Sequence, residues 1–128
     1  MLAELRVRDL AVIRDARLEL GPGLNVLTGE TGAGKSMLVD ALALLLGERA
    51  AGDLVRPGAD RAVVEGAFEA PDGAGLAAAL DGLGLDAAEG ALVVKREVLA
   101  SGRSRAWVNG SPVTVTVLEA LGALLVDL

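Results

Sequence analysis

The stretch Leu24-Asn25-Val26-Leu27-Thr28-Gly29-Glu30-Thr31-Gly32-Ala33-Gly34-Lys35-Ser36 decides the fold. Residues 24–28 follow the turn Gly21-Pro22-Gly23 and are mostly apolar, the pattern of a short strand buried on both faces. From Gly29 to Ser36 the chain matches G-x-x-x-x-G-K-[ST] at every fixed position. Glycines let a backbone wrap a phosphate with no Cβ in the way, so that successive N–H groups form an anion nest. Lys35 to Leu46 then reads as a helix, with Asp40 its only charge after Lys35 and Gly47 placed to end it in a left-handed cap. A helix apolar nearly all round is expected to pack on several sides. The competing reading, a chance Gly-rich turn, does not explain a strand directly before the loop and an apolar helix directly after it.

Working outward, Leu5 and Val7 alternate with Glu4, Arg6 and Arg8, and Ala16, Leu18 and Leu20 alternate with Asp15, Arg17 and Glu19. Both are patterns of half-buried strands. Residues 48–60 read as a loop turning at Pro57-Gly58, and Arg61 to Glu69 as another strand, stopped by Pro71-Asp72-Gly73. Leu76, Leu80 and Leu83 share a helical stripe over residues 75–84. Ala91–Val98 and Arg105–Asn109 form a hairpin across Ser101-Gly102, and Asn109-Gly110 is a further tight turn. Thr116 to Glu119 fits a capping box opening a short helix, and Leu124 to Leu128 is an apolar run that reads as a strand. The order gives an α/β fold: a strand–loop–helix unit flanked on both sides by antiparallel strands.

Composition narrows the chemistry. The 128 residues carry Lys+Arg 12 against Asp+Glu 18, a net charge of -6, and include no Cys, His or Gln. Disulfides, Cys/His zinc sites and triads with a His base are therefore excluded. The acidic balance argues against nucleic-acid coating by this segment alone. The longest charge-free apolar stretch, Ala41 to Gly47, is far short of the ~18 residues of a membrane span. Glu4, Arg6, Arg8 and Asp9 argue against a signal peptide, so a soluble intracellular chain is expected.

The motif assigns roles. Lys35 reaches the β- and γ-phosphates of a nucleotide, and the Ser36 hydroxyl is the expected Mg²⁺ ligand. Hydrolysis needs more: an acidic group on the metal and a group that orients water. Leu124-Leu125-Val126-Asp127 reads either as a Walker B strand or as an ordinary buried strand ending in a polar residue. Asp40 and Glu30 are weaker candidates for metal or base. Arg103 and Arg105 read as solvated turn residues or phosphate contacts, and Trp107 as hairpin packing or a stacking platform.

Taken together, Leu5 to Leu10, Gly21-Pro22-Gly23, Leu24 to Thr28, the loop Gly29 to Ser36 and Asp40-Ala41-Leu42 resemble the N-terminal head segment of SMC-like ABC ATPases. Glu30-Thr31, where SMC proteins carry Pro-Asn, resembles a bacterial DNA-repair branch of that group. So do Leu46-Gly47-Glu48-Arg49-Ala50 and Gly102-Arg103-Ser104-Arg105 with Asn109-Gly110. The resemblance implies an ATP- and Mg²⁺-binding lobe spanning residues 1–128, with Gly29, Glu30, Thr31, Gly32, Ala33, Gly34, Lys35 and Ser36 as its nucleotide site. It implies a C-terminal lobe of the same protein as partner, a second head engaged through ATP, and DNA as the target in double-strand break repair. Q-loop, signature motif, Walker B pair and switch histidine are then expected outside this stretch, and Asp127 at the end of the strand preceding the Q-loop. An arginine in the loop after the helix, Arg49 or Arg56, is a candidate nucleotide contact under the same resemblance, beside the plainer reading of both as solvated. Expected location is the cytoplasm, at the nucleoid.

Two other classes stand beside this reading. One is a self-contained small P-loop kinase or NTPase. A GTPase is excluded, because neither Asn25 nor Asn109 precedes a Lys. The other is a nucleotide-gated interaction module without catalysis of its own.

Overall fold

The computed structural model describes residues 2–11, 13–21, 24–28, 33–50, 52–69, 82 and 91–126. Among the described residues seven strands form one sheet: β1 (Leu2–Leu10), β2 (Ile13–Gly21), β3 (Leu24–Thr28), β4 (Arg61–Glu69), β5 (Ala91–Leu99), β6 (Ser104–Val108) and β7 (Ser111–Val113). Their order is β3-β2-β1-β4-β5-β6-β7, and every neighbouring pair is antiparallel. Helix α1 (Ala33–Leu45) follows β3, and α2 (Val115–Val126) follows β7.

Period-two alternation fixes which side chains face the helices. Val7 on β1 pairs with Val64 on β4, which pairs with Arg96 on β5, which pairs with Ala106 on β6. That row and its neighbours Leu5, Ala62, Phe68, Val94, Val98 and Val108 are buried, together with Ala41, Leu44 and Leu45 of α1 and Leu118 and Leu121 of α2. The opposite face carries charge in opposed pairs. Arg6 meets Asp15 at 3.3 Å, Arg8 meets Glu65 at 3.2 Å, and Arg17 meets Glu4 at 2.8 Å. The hydrogen bond from Arg17 to Glu4, with the charges of Glu4 and Glu19, raises the guanidinium's pKa above its ordinary value. Such exposed pairs are screened by water and add little stability, so they fix register more than stability.

At two turns the residue types match an unusual backbone. Asn109 and Gly110 have φ of 49° and 83°, the two positive values that a two-residue type I′ hairpin turn requires. Asn109 Oδ1 also accepts from the Val93 N–H at 2.8 Å, tying the turn to β5. Gly47 has φ of 98°. The Gly47 N–H donates to the Leu44 carbonyl at 3.2 Å and the Glu48 N–H to the Ala43 carbonyl at 3.1 Å, the paired bonds of a Schellman cap.

Three expectations change. The final helix starts at Val115, not at a box opened by Thr116: Thr114 is its N-cap, its Oγ1 accepting from the Val117 N–H at 3.2 Å. Leu124–Val126 are the last turn of α2 rather than a strand. A short apolar run fits either element, and here Leu118 and Leu121 set a helical spacing that carries through it. The Walker B-like strand is therefore not formed at residues 124–126, and Asp127 lies outside the described residues. Helix α1 leaves Val39 68% exposed, a position that a helix packed on several sides was expected to cover. β3 is the outermost described strand, paired with β2 alone, and the burial of its side chains, expected on both faces, lies outside what is described. The helix expected over residues 75–84 lies outside the described residues except for Gly82, which is helical and exposed.

Candidate nucleotide-binding site

β3 ends at Thr28 and α1 begins at Ala33, so the motif spans the connection between a strand end and a helix start. Gly29, Glu30, Thr31 and Gly32 lie outside the described residues. Ala33, Gly34, Lys35 and Ser36 form the first turn of α1. That turn has N–H groups with no intrahelical acceptor, and it carries no acidic residue to compete with an anion. Lys35 adds a cation and Ser36 a hydroxyl to the same turn, a donor set suited to phosphate and to the metal that accompanies it.

The far end of the helix is described in more detail. Leu45, the last helical residue, lies about 15 Å along the axis from Lys35 at 1.5 Å per residue. Ala41, Leu44 and Leu45 are buried, and α1 packs on β1, β4 and β5. Each buried leucine contributes about 2 kcal/mol by removal from water. The buried guanidinium of Arg96 reaches this end from β5. Its Nη1 donates to the Leu44 carbonyl at 2.8 Å and to the Glu48 carbonyl at 2.9 Å, and its Nη2 donates to Ser104 Oγ at 3.1 Å. Burial lowers the Arg96 pKa from its ordinary value, opposed by the charge of Glu119 on α2.

Arg49 and Arg56 both follow this end of α1. Arg49 is exposed and Arg56 half-buried. The Arg56 N–H donates to the Asp9 carbonyl at 2.8 Å and the Ala11 N–H to the Leu54 carbonyl at 2.7 Å, so the loop is stitched to the β1–β2 turn. On the hairpin, Arg103 is exposed, and Arg105 lies 3.9 Å from Glu97, which also accepts from Arg61 at 3.2 Å. Lys95 Nζ sits 5.2 Å from the Trp107 ring centroid, so one face of that ring already carries a cation.

Arg96 and Glu97 were missed from sequence. Lys95-Arg96-Glu97 puts three charges in succession on one strand, and alternation requires at least one to face the core. That run was the available signal. It also joins two distinctive segments, because Arg96 bonds both to Glu48, within 46–50, and to Ser104, within 102–105.

The sheet and the strand–helix connection that carries the motif have the fold of an SMC-type head. A model of the AAA domain family matches residues 4–73, and the chain belongs to that family. A solved structure from work on ATP-driven dimerization and DNA-stimulated activation of SMC ATPases superposes with a TM-score of 0.74 at 21% identity, covering 98% of this chain and 79% of that one. In sequence the chain is similar to DNA repair protein RecN. It is 49% identical over 122 residues to RecN of Streptomyces coelicolor, covering 95% of this chain and 21% of the relative. It is 41% identical over 128 residues to RecN of Halalkalibacterium halodurans, covering 100% of this chain and 23% of the relative. The chain thus spans about a fifth of the length of these curated relatives. Among the described residues no helix is long and apolar enough to cross a membrane.

Proposed function

We propose that residues 1–128 form the ATP-binding N-terminal lobe of a RecN-like DNA repair ATPase. The observation that carries this is an unbroken G-x-x-x-x-G-K-S sequence at the junction of β3 and α1. Backbone N–H groups of Gly29 to Ser36 would cradle the phosphates, Lys35 would neutralise the β- and γ-phosphates, and Ser36 would hold Mg²⁺. Bound Mg²⁺ supplies charge neutralisation on the phosphates.

The lobe binds and orients nucleotide; it does not complete a catalytic site. With no Gln and no His in the chain, the water-orienting groups of an SMC-type head come from elsewhere in the protein. The exposed side of α1 at Val39 fits a lobe that docks a C-terminal segment there. ATP then engages a second head, and the cycle acts on DNA in double-strand break repair at the nucleoid. Similarity to RecN and to SMC heads supports these partners.

The test is turnover. The 128-residue chain is expected to bind ATP with no hydrolysis above background, and the full-length protein to hydrolyse it. Robust turnover by the chain alone would restore a self-contained P-loop enzyme as the reading.

A further inference from the structure

Arg96 heads the fully buried side chains by volume among the described residues, with 1% of its surface exposed. A buried guanidinium is costly, and an apolar side chain of similar volume would stabilise a core at least as well. Here Nε has no hydrogen-bond partner, so the site is not optimised for stability alone. What the guanidinium does supply is direction. Ala41, Leu44 and Leu45 hold α1 by apolar contact, which tolerates sliding and rotation. Two hydrogen bonds from one nitrogen to the carbonyls of Leu44 and Glu48 do not, and the bond to Ser104 fixes the fork from β6.

We propose that Arg96 is a positioning residue for nucleotide binding: by fixing the C-terminal end of α1 it sets where the Lys35–Ser36 turn stands at the other end. A helix is stiff over this length, so a tilt of about 5° at Leu45 moves the Lys35 turn by about 1 Å. Charge-assisted hydrogen bonds depend on distance and angle, so a shift of that size weakens the contacts this turn makes to phosphate. Helix α2 closes on the same place, with Glu119 against Gly47 and Gly122 against Leu46. The inference rests on the ATP-binding reading of the loop.

Its test is the ATP dissociation constant of the full-length protein, read with a fluorescent ATP analogue well below the melting midpoint, with circular dichroism confirming the fold. Arg96→Met is expected to weaken binding about tenfold or more. Arg96→Lys, whose ammonium does not reproduce the planar fork, is expected to weaken it by a smaller factor. Ser104→Ala frees one arm of the fork but keeps both carbonyl bonds, so it is expected to weaken binding by less than Arg96→Met does. Wild-type affinity in folded Arg96→Met, with only the melting midpoint lowered, would reduce Arg96 to a structural role and overturn the inference. If Arg96→Met does not fold, Arg96→Lys decides on the same criterion. Lys35→Ala run in parallel separates the two claims: wild-type affinity there defeats the ATP-site reading itself, whereas its loss beside normal binding in the Arg96 variants defeats only the positioning role.

Discussion

Gly122 of α2 lies so close to Leu46, just past the end of α1, that a Cβ on it would sit 2.5 Å from the Leu46 carbonyl oxygen and 2.9 Å from its Cα. The two helices meet there through backbone, and only glycine permits it. Gly122→Ala is therefore expected to destabilise the fold by about 1–3 kcal/mol, although alanine is the better helix former by about 1 kcal/mol. Urea unfolding checks this. A stabilised variant would mean that the helices do not approach as described.

Gly47 is held twice over. Its φ of 98° suits glycine, and a Cβ there would meet Glu119 Cα and N at 2.7 Å. Gly47→Ala is expected to cost at least as much as Gly122→Ala, because strain adds to overlap. Equal or greater stability of Gly47→Ala in the same urea series would contradict the cap.

Asn109→Ala removes the acceptor for the Val93 N–H and places an alanine at a φ of 49°. The expected loss is about 1–2 kcal/mol. Asn109→Gly restores the backbone freedom but not the hydrogen bond, so it should recover part of that loss. Thermal unfolding of the pair separates the two contributions.

Glu97 contrasts with Arg96, its neighbour on the other face of β5. Its side chain is 6% exposed, but its partners Arg61 and Arg105 are 59% and 61% exposed and return to water if it is neutralised. Glu97→Gln is expected to change stability by no more than about 1 kcal/mol. A loss of several kcal/mol would show that the carboxylate is part of the core.

Much of this fold is legible in the residues. Alternation in Glu4–Arg8 and Arg61–Glu69 marks strands because one face is dry and the other wet, and Asn109-Gly110 marks its hairpin because few other pairs accept two positive φ values. Leu124–Val126 misled because three apolar residues carry no period of their own. The capping box misled because Thr116 satisfies Thr-x-x-Glu with Glu119 whereas Thr114 does not, yet Thr114 is the residue whose hydroxyl caps the helix. For the proposed site, the pattern from Gly29 to Ser36 is legible in residue identity, since phosphate wrapping would constrain each fixed position. Arg96 could not be placed that way, because its partners are main-chain carbonyls, and any residue at positions 44 and 48 presents one.

Ser36 has a prediction of its own. Ser36→Ala is expected to leave metal-free ATP binding nearly unchanged and to abolish most of the strengthening that Mg²⁺ gives, since only the hydroxyl ligand is lost. A titration of ATP with and without Mg²⁺ reads the difference. Identical Mg²⁺ dependence in variant and wild type would remove Ser36 from the metal's coordination.

Equilibrium binding of Mg-ATP by wild type and Lys35→Ala is the most direct measurement of all. Wild type is expected to bind saturably at one site, and Lys35→Ala, with an unchanged circular dichroism spectrum, to lose binding by about a hundredfold or more, as expected when a charge-assisted phosphate contact is removed and the local nest loosens. Binding by Lys35→Ala at wild-type affinity would contradict a nucleotide site at Gly29 to Ser36.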